Sequence, residues 1–449
     1  MRAAKIVKLE ELHEQLLYRR AYPASAGQAR QADDDLAHFP ALVNDLRASG
    51  ADLTPLEEYA VSGIAGSGMT AVFSYGVALH LSRRHGDDIR IAWDAWETPE
   101  ALGRLLPALL PLAHEQALVE AHIPWERWLD AAAHGRAPLA WLLRAIARRW
   151  PDIHEAAARY DSLQLPLRWD FGASTATRTL MRLPVKSLFC HDGPLLTRHD
   201  APLDQIPSAA PLPTRKLGKA AGEMILALAR DTSAVRYREL HGFTWGDPAS
   251  VHEIRPGRGV ELFFSGVPPA HRLPVRGYYA MSIWKNGVPI GYFEGLTILE
   301  RMDAGFNLYY TFRAGETAWL YAKILQACHQ MLGTTCFVID PYQLGHENDE
   351  AIESGAFWFY RKLGFRSVSP AIRQLTQREE RRLAARRGAR SSPAMLRRLV
   401  AEPMIYELPS SPAGDWDNFL LERALLRLAA RPRVPRSLSR DELLHLGRP

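Results

Sequence analysis

The dipeptide Asn286-Gly287 constrains the fold of this chain more than any other short stretch. It lies between two runs rich in β-branched and aromatic residues, Tyr279 to Trp284 and Val288 to Glu294. A type I′ turn needs positive φ at both central residues, which Asn and Gly tolerate, so the spacing predicts an antiparallel hairpin. A second turn at Asp303-Ala304-Gly305 leads into Phe306-Asn307-Leu308-Tyr309-Tyr310-Thr311-Phe312, expected as a third strand. After Gly315 the period changes. Ala318, Ala322, Leu325, Cys328 and Leu332 recur at three- and four-residue steps, which predicts a helix from Glu316 to Met331 closed by Gly333. Cys336-Phe337-Val338-Ile339 is a short continuous apolar run, as in a strand buried on both faces. Ile352, Ala356, Phe359 and Leu363 then make a one-sided helix ended by Gly364.

At 449 residues the chain is long enough for two or three domains. Pro202, Pro207, Pro211 and Pro213 mark a connector, because proline pushes its predecessor to extended geometry. The expected organisation is a mainly helical domain over 1–200, a proline-rich linker over 201–215, an α/β domain over 216–370 and a basic helical extension over 371–449. In the first domain, Gly63-Ile64-Ala65-Gly66-Ser67-Gly68-Met69-Thr70 opens a helix-like run to about His85. Glycine loops at helix starts can cradle phosphate. The spacing here is that of no nucleotide fingerprint, and a tight turn is the expected use. Trp125, Trp128 and Trp141 recur at near-helical spacing and read as core.

Composition excludes several classes. The three cysteines, Cys190, Cys328 and Cys336, suit neither a disulfide framework nor a zinc site, and a reducing, cytoplasmic compartment is expected. Cys190-His191-Asp192 with His199 and Asp200 read as loop residues, so no metal is expected. A net charge of +5 arises largely from an arginine-rich region near the C-terminus, where no aromatic residues are interleaved to stack bases. A solvated surface is the expectation there, not a nucleic-acid interface. The start of the chain is charged with no following apolar region, and no membrane segment is expected anywhere. A last helix from Trp416 to Ala430, with Phe419, Leu420, Ala424, Leu425 and Leu428 on one face, is expected to pack on a domain or on a second copy of the chain.

The order β-β-β-α-β-α-β with a glycine entering the first helix resembles the core of the GNAT superfamily of N-acyltransferases. The most specific likeness is Phe359-Tyr360-Arg361-Lys362-Leu363-Gly364-Phe365, similar to that superfamily's phenylalanine-tyrosine-x-lysine-x-glycine-phenylalanine segment, with Asn348 upstream. The resemblance covers about Lys216 to Pro370. It implies an α/β fold, a GNAT-like mixed sheet flanked by helices, preceded by the mainly helical N-terminal domain. It also implies transfer of an acyl group by direct attack, from acyl-coenzyme A or another thioester carrier to a small-molecule or peptide amine.

By the same resemblance, backbone amides of Phe312-Arg313-Ala314-Gly315-Glu316-Thr317-Ala318 would hold the donor's pyrophosphate at the helix start. Arg313 and Ala318 fit the family pattern, and Glu316 stands where a glycine is usual. Asn348 would hydrogen-bond the pantetheine arm, and Tyr360 would protonate the leaving thiolate. The acceptor amine must lose a proton, for which Glu294, Asp340 and His346 are the candidates. Glu316, and the lack of an acid in the strand before Gly315, keep open an alternative: a GNAT-like fold that has lost chemistry and serves as a binding or assembly module.

Overall fold

The computed structural model describes residues 2–110, 123–273, 275–409, 411–412, 416–431 and 438–448. It is a mixed α/β architecture with two sheets. A small antiparallel sheet has the order β1-β3-β2, from β1 Gly68–Val72, β2 Ile89–Ile91 and β3 Pro166–Asp170. The large sheet is built from β4 Thr214–Lys216, β5 His252–Gly257, β6 Val260–Gly266, β7 Gly277–Lys285, β8 Val288–Ile298, β9 Arg301–Leu308, β10 Cys336–Ile339, β11 Arg366–Ser367 and β12 Met404–Glu407. Its order is β11-β12-β10-β9-β8-β7-β6-β5-β4. Only the β9–β10 pair is parallel, joined by the Thr317–Leu332 helix, as a crossover requires. Among the described residues no helix is long and apolar enough to cross a membrane.

Alternation along β7 and β8 divides the core. Met281, Ile283 and Phe293 point to one face, where the Thr317–Leu332 and Arg2–Ala21 helices cover them. Ala280 and Trp284 point to the other, against the Lys219–Ala234 helix and the segment from Met69 to Leu183. The N-terminal region is helical as expected, but it does not close a core of its own. Ile6, Leu16, Leu17, Phe39 and Val43 share the large-sheet core, because an amphipathic helix buries its stripe against whatever apolar face tertiary contact offers. The proline connector is docked too, with Leu203, Ile206 and Leu212 buried and the Leu212 backbone held by the Gln330 side chain.

The Asn286-Gly287 turn forms as the dipeptide predicts, with φ of 50° and 78°. Its setting is unusual for a hairpin tip, since Lys285 and Asn286 are both 0% exposed. The Asn286 amide donates to Ala21 O (2.8 Å) and Phe189 O (3.0 Å) and accepts from Phe189 N–H. Arg20 donates to Asn286 O, and Leu183 N–H to Gly287 O.

Several local expectations shift. The second turn falls at Leu299-Glu300, with Leu299 at φ 54°, and Asp303-Ala304-Gly305 lies inside β9. Strand pairing prevails over turn propensity there because it buries Met302 and Ala304 and lets Asp303 meet Arg301 and Arg276. The helix from Ile352 to Leu363 is two helices, Asp349–Ser354 and Ala356–Lys362, broken at Gly355. The glycine loop from Gly63 leads into strand β1, and helix begins only at Tyr75. Its amides are engaged internally, Gly66 with Gly172 O, Ser67 with Ile64 O and Ala65 with Thr179 Oγ1, so it serves as a buried turn. Residues after 371 are not merely an extension, since β12 inserts between β10 and β11. The helix expected last, over Trp416 to Ala430, is shorter, Leu421–Ala429, and a further helix, Arg440–Gly447, follows it; the former buries Ala424 and Leu428 while Leu420 and Leu425 stay exposed.

A Cβ at Gly287 would stand 2.2 Å from the Leu183 carbonyl oxygen, whereas one at Gly333 would meet open space. Both residues have positive φ, so alanine costs about 1 kcal/mol of backbone strain at either. Gly287→Ala adds a backbone clash, and urea melts should show it at least twice as destabilising as Gly333→Ala. Equal losses would mean that the hairpin tip is not gripped.

Candidate active site

Strand β9 outruns its parallel partner. Pairing holds from Cys336↔Arg301 to Val338↔Asp303, and beyond it Ala304 to Leu308 are unpaired on that side. The strands splay, and a cavity of about 380 Å³ opens between β9 and the three short helices that follow β10, Pro341–Leu344, Asp349–Ser354 and Ala356–Lys362. Asn307 and Leu308 form one wall, and Asn348, Phe359 and Tyr360 the other, with Tyr292, Arg238 and Tyr59 at one side. A second cavity of about 290 Å³ adjoins it, sharing Tyr59, Arg238, Asn307, Leu308 and Arg313 and reaching Glu10, Glu14, Arg178 and Arg236.

The structure separates the three candidate bases. Asp340 is exposed and caps the Pro341–Leu344 helix by accepting from Tyr342 N–H at 2.8 Å. His346 is exposed as well, and none of the three candidates, Glu294 included, is itself a lining residue of the cavity. Glu294 stands on β8 two residues beyond Tyr292 and on the same face, opposite Gly305 in the register. The cavity-lining Gln343 reaches over that glycine. The Tyr278 hydroxyl donates to Glu294, and burial pushes its carboxyl up to about 7, near the pH at which a general base works best.

Tyr360 lines the cavity from the Ala356–Lys362 helix, edge-on to Tyr321, Phe359 and Phe365, and is 3% exposed. Burial holds its phenol well above the usual range, so it stays protonated. Asn348 lines the same cavity, but its side chain is bound into the fold. It accepts from Ala351 N–H (3.2 Å) as the N-cap of the next helix and donates to Tyr342 O (3.1 Å).

The loop from Phe312 to Ala318 is in part spent. Phe312, Arg313 and Gly315 donate their amides to Tyr309, Tyr310 and Phe312 carbonyls. The Glu316 amide meets the Tyr22 hydroxyl, whose ring packs so closely that a Cβ at Gly315 would lie 2.4 Å from it. The helix start from Thr317 onward, including Ala318, still lacks intrahelical acceptors, and Thr317 lines the cavity. Arg313 lines both cavities and pairs with Glu350 at 2.7 Å.

Glu316 turns the other way. Its carboxylate is 2% exposed and takes Arg258 at 2.5 Å, Lys285 at 3.3 Å and the Leu196 amide at 3.0 Å. Lys285 also donates to Arg258 O and lies over the Tyr22 ring, 4.7 Å from its centroid. Burial lowers the Lys285 ammonium to about 8, against the opposing pull of Glu316. These donors hold the Glu316 carboxyl below its usual range despite its burial. Glu316 is therefore a structural counter-ion and does not face the cavity.

Sequence reasoning missed Arg236, Arg238, Tyr59 and Tyr292, which distant segments bring to the cavities. Among the described residues one group has metal-ligand geometry, His80, His85 and Asp231. Asp231 already accepts from both histidines and from Arg84 at 2.8 to 2.9 Å, which accounts for the cluster as a satisfied buried carboxylate. Asp200 caps its own turn with Thr197, and His191 packs against Tyr22 and Phe189, so the Cys190 region makes no ligand set.

Two outcomes follow from these charges. Glu316→Gln leaves Lys285 buried with no adjacent carboxylate, and denaturant melts should show a loss of roughly 3–5 kcal/mol. Folded Glu294 keeps its proton up to about pH 7, whereas the unfolded chain releases it near 4.5. Its stabilising contribution is therefore full below pH 4.5 and is lost as pH rises through 7. The Tm of Glu294→Gln should gain on that of the native chain between pH 5 and 8. Parallel curves would remove the buried carboxyl.

No family model, no curated protein and no solved structure matches the chain, so the chemistry of this site rests on its own geometry.

Proposed function

We propose that the chain is an N-acyltransferase with a GNAT-like sheet, moving an acyl group from a thioester donor, with acyl-coenzyme A the first choice, to an amine. One observation carries this reading: the splayed parallel pair β9–β10 opens a cavity that holds Tyr360 on one wall, with Glu294 on the adjoining sheet face.

The free edge of β9 from Ala304 to Leu308 suits an extended, amide-bearing donor arm, which can pair with it as an added strand. The acceptor nitrogen attacks the thioester carbonyl, forming the C–N bond as the C–S bond breaks. Glu294 takes the proton from nitrogen, and the Tyr360 hydroxyl protonates the departing sulfur. Each group is in the form its step needs: the carboxyl titrates about 7, and burial keeps the phenol protonated.

A second reading, a module that keeps the fold without the donor, is favoured by Tyr22, which occupies amide capacity that a pyrophosphate would use. The two separate in a transfer assay with a panel of acyl-coenzyme A donors and amines. For the enzyme, Glu294→Gln lowers kcat about 10²- to 10⁴-fold and abolishes a kcat/KM limb rising near pH 7, and Tyr360→Phe lowers kcat with donor binding retained. No transfer from any donor, with no thermal shift by coenzyme A, would sink the reading.

A further inference from the structure

We propose that the paired cavities beside β9 hold an oxyanion of the ligand, phosphate or carboxylate, on Arg238, with Arg236 in the adjoining wall. The other arginines there are matched, Arg178 by Glu14 and Arg313 by Glu350. Among the described residues, Arg236 and Arg238 form no ion pair. The Arg238 guanidinium donates to the Tyr292 hydroxyl at 3.1 Å and lies over the Tyr59 ring. Arg236, only 7% exposed, donates to Thr232 O (2.6 Å) and Thr232 Oγ1 (2.9 Å) and stacks on Tyr309 at 4.0 Å.

All these acceptors are neutral, and burying guanidinium charge without an anion is costly. Burial brings Arg236 down to about 10, and repulsion from Arg178 and Arg238 adds to it. The acids that line the cavities do not cancel this: Glu350 is paired with Arg313 and reaches Arg238 only from a longer range. Glu14 is spent on Arg178 and reaches Arg236 only from a longer range, and burial together with Glu14 holds the Glu10 carboxyl above its usual range. An anion entering the cavity would supply the missing counter-charge.

The backbone points the same way. Between the two arginines Tyr237 has φ 55°, at the end of a helix where the Arg238 amide reaches back to Ser233 O. Glycine usually fills this left-handed position, and a larger residue costs about 1 kcal/mol or more there. Tyr237 holds it with its hydroxyl on Glu57 O at 2.7 Å, and both flanking arginines line the cavities. Strain kept beside a binding surface is a mark of a positioned site.

The proposal rests on the acyl-transfer reading only for the ligand's identity: a donor phosphate or an acceptor carboxylate. Titration calorimetry on the full chain would use inorganic pyrophosphate, coenzyme A, pantetheine and L-glutamate, with Arg238→Gln and Arg236→Gln beside the native protein. Arg238 is half-buried, so its variant reports even if Arg236→Gln fails to fold. Loss of a charge-assisted bond predicts about ten- to a hundredfold weaker pyrophosphate binding in Arg238→Gln. A donor phosphate makes coenzyme A bind at least tenfold tighter than pantetheine, with the difference lost in the variant. An acceptor carboxylate leaves those two alike and makes glutamate binding depend on Arg238. Anion binding without acyl transfer would keep this site and remove the enzyme. Failure of all three anions to bind the native chain, or equal binding by native chain and variants, overturns the site.

Discussion

The buried carboxylate of Glu316 is the interaction on which the rest of the molecule depends. It neutralises Lys285, which is wholly out of solvent, and Arg258, and it accepts the Leu196 amide. Four parts of the chain meet in this one cluster: the hairpin tip, the turn between β5 and β6, the segment before the proline connector and the start of the Thr317–Leu332 helix. A buried ion pair of this kind adds little net stability over apolar packing, but each member enforces the presence of the others. The hairpin tip, which would ordinarily face water, is thereby locked inward, with Arg20 and Ala21 of the first helix on its backbone and side chain.

That lock also decides how the loop before the helix can be used. With Tyr22 against Gly315 and the Glu316 amide, and with the Glu316 side chain turned to Lys285, one side of the loop belongs to the core. The other side, with Arg313 and Thr317, opens on the cavity. Positive charge is then supplied by side chains, Arg313 of the loop itself and Arg236 and Arg238 from elsewhere. The charge that a helix start and its amides would have presented is partly transferred to guanidinium groups.

Legibility followed sequence separation. The hairpin, strand β10 and the Thr317–Leu332 helix were readable because each is governed by residues a few positions apart. The second turn was misplaced because Asp303 and Gly305 have turn propensity that cross-strand pairing to Leu296 and Glu294 overrides. Strand β12 gave only four residues of signal, and its place between β10 and β11 is a matter of long-range pairing. For the site, Tyr360 lines the cavity and Glu294 lies on the adjoining sheet face, whereas Asp340 and His346 are an exposed cap and an exposed turn residue. Arg236 and Arg238 gave no signal, because what distinguishes them is the absence of a carboxylate partner in three dimensions.

By itself the sequence determined the local alphabet: a type I′ turn at Asn286-Gly287, a helix entered at Gly315, a buried strand at Cys336 and an aromatic segment ending at Phe365. These follow from φ preferences and side-chain periodicity, which act over neighbouring residues. Only the tertiary structure decided that the first helix caps the hairpin tip and that Glu316 points inward. It also decided that β9 outruns β10, and that Arg236 and Arg238, in no ion pair among the described residues, line the cavities beside it. Those outcomes depend on burial, on charge compensation and on hydrogen bonds between groups as far apart as 266 positions, and such terms take a value only once the chain has closed on itself.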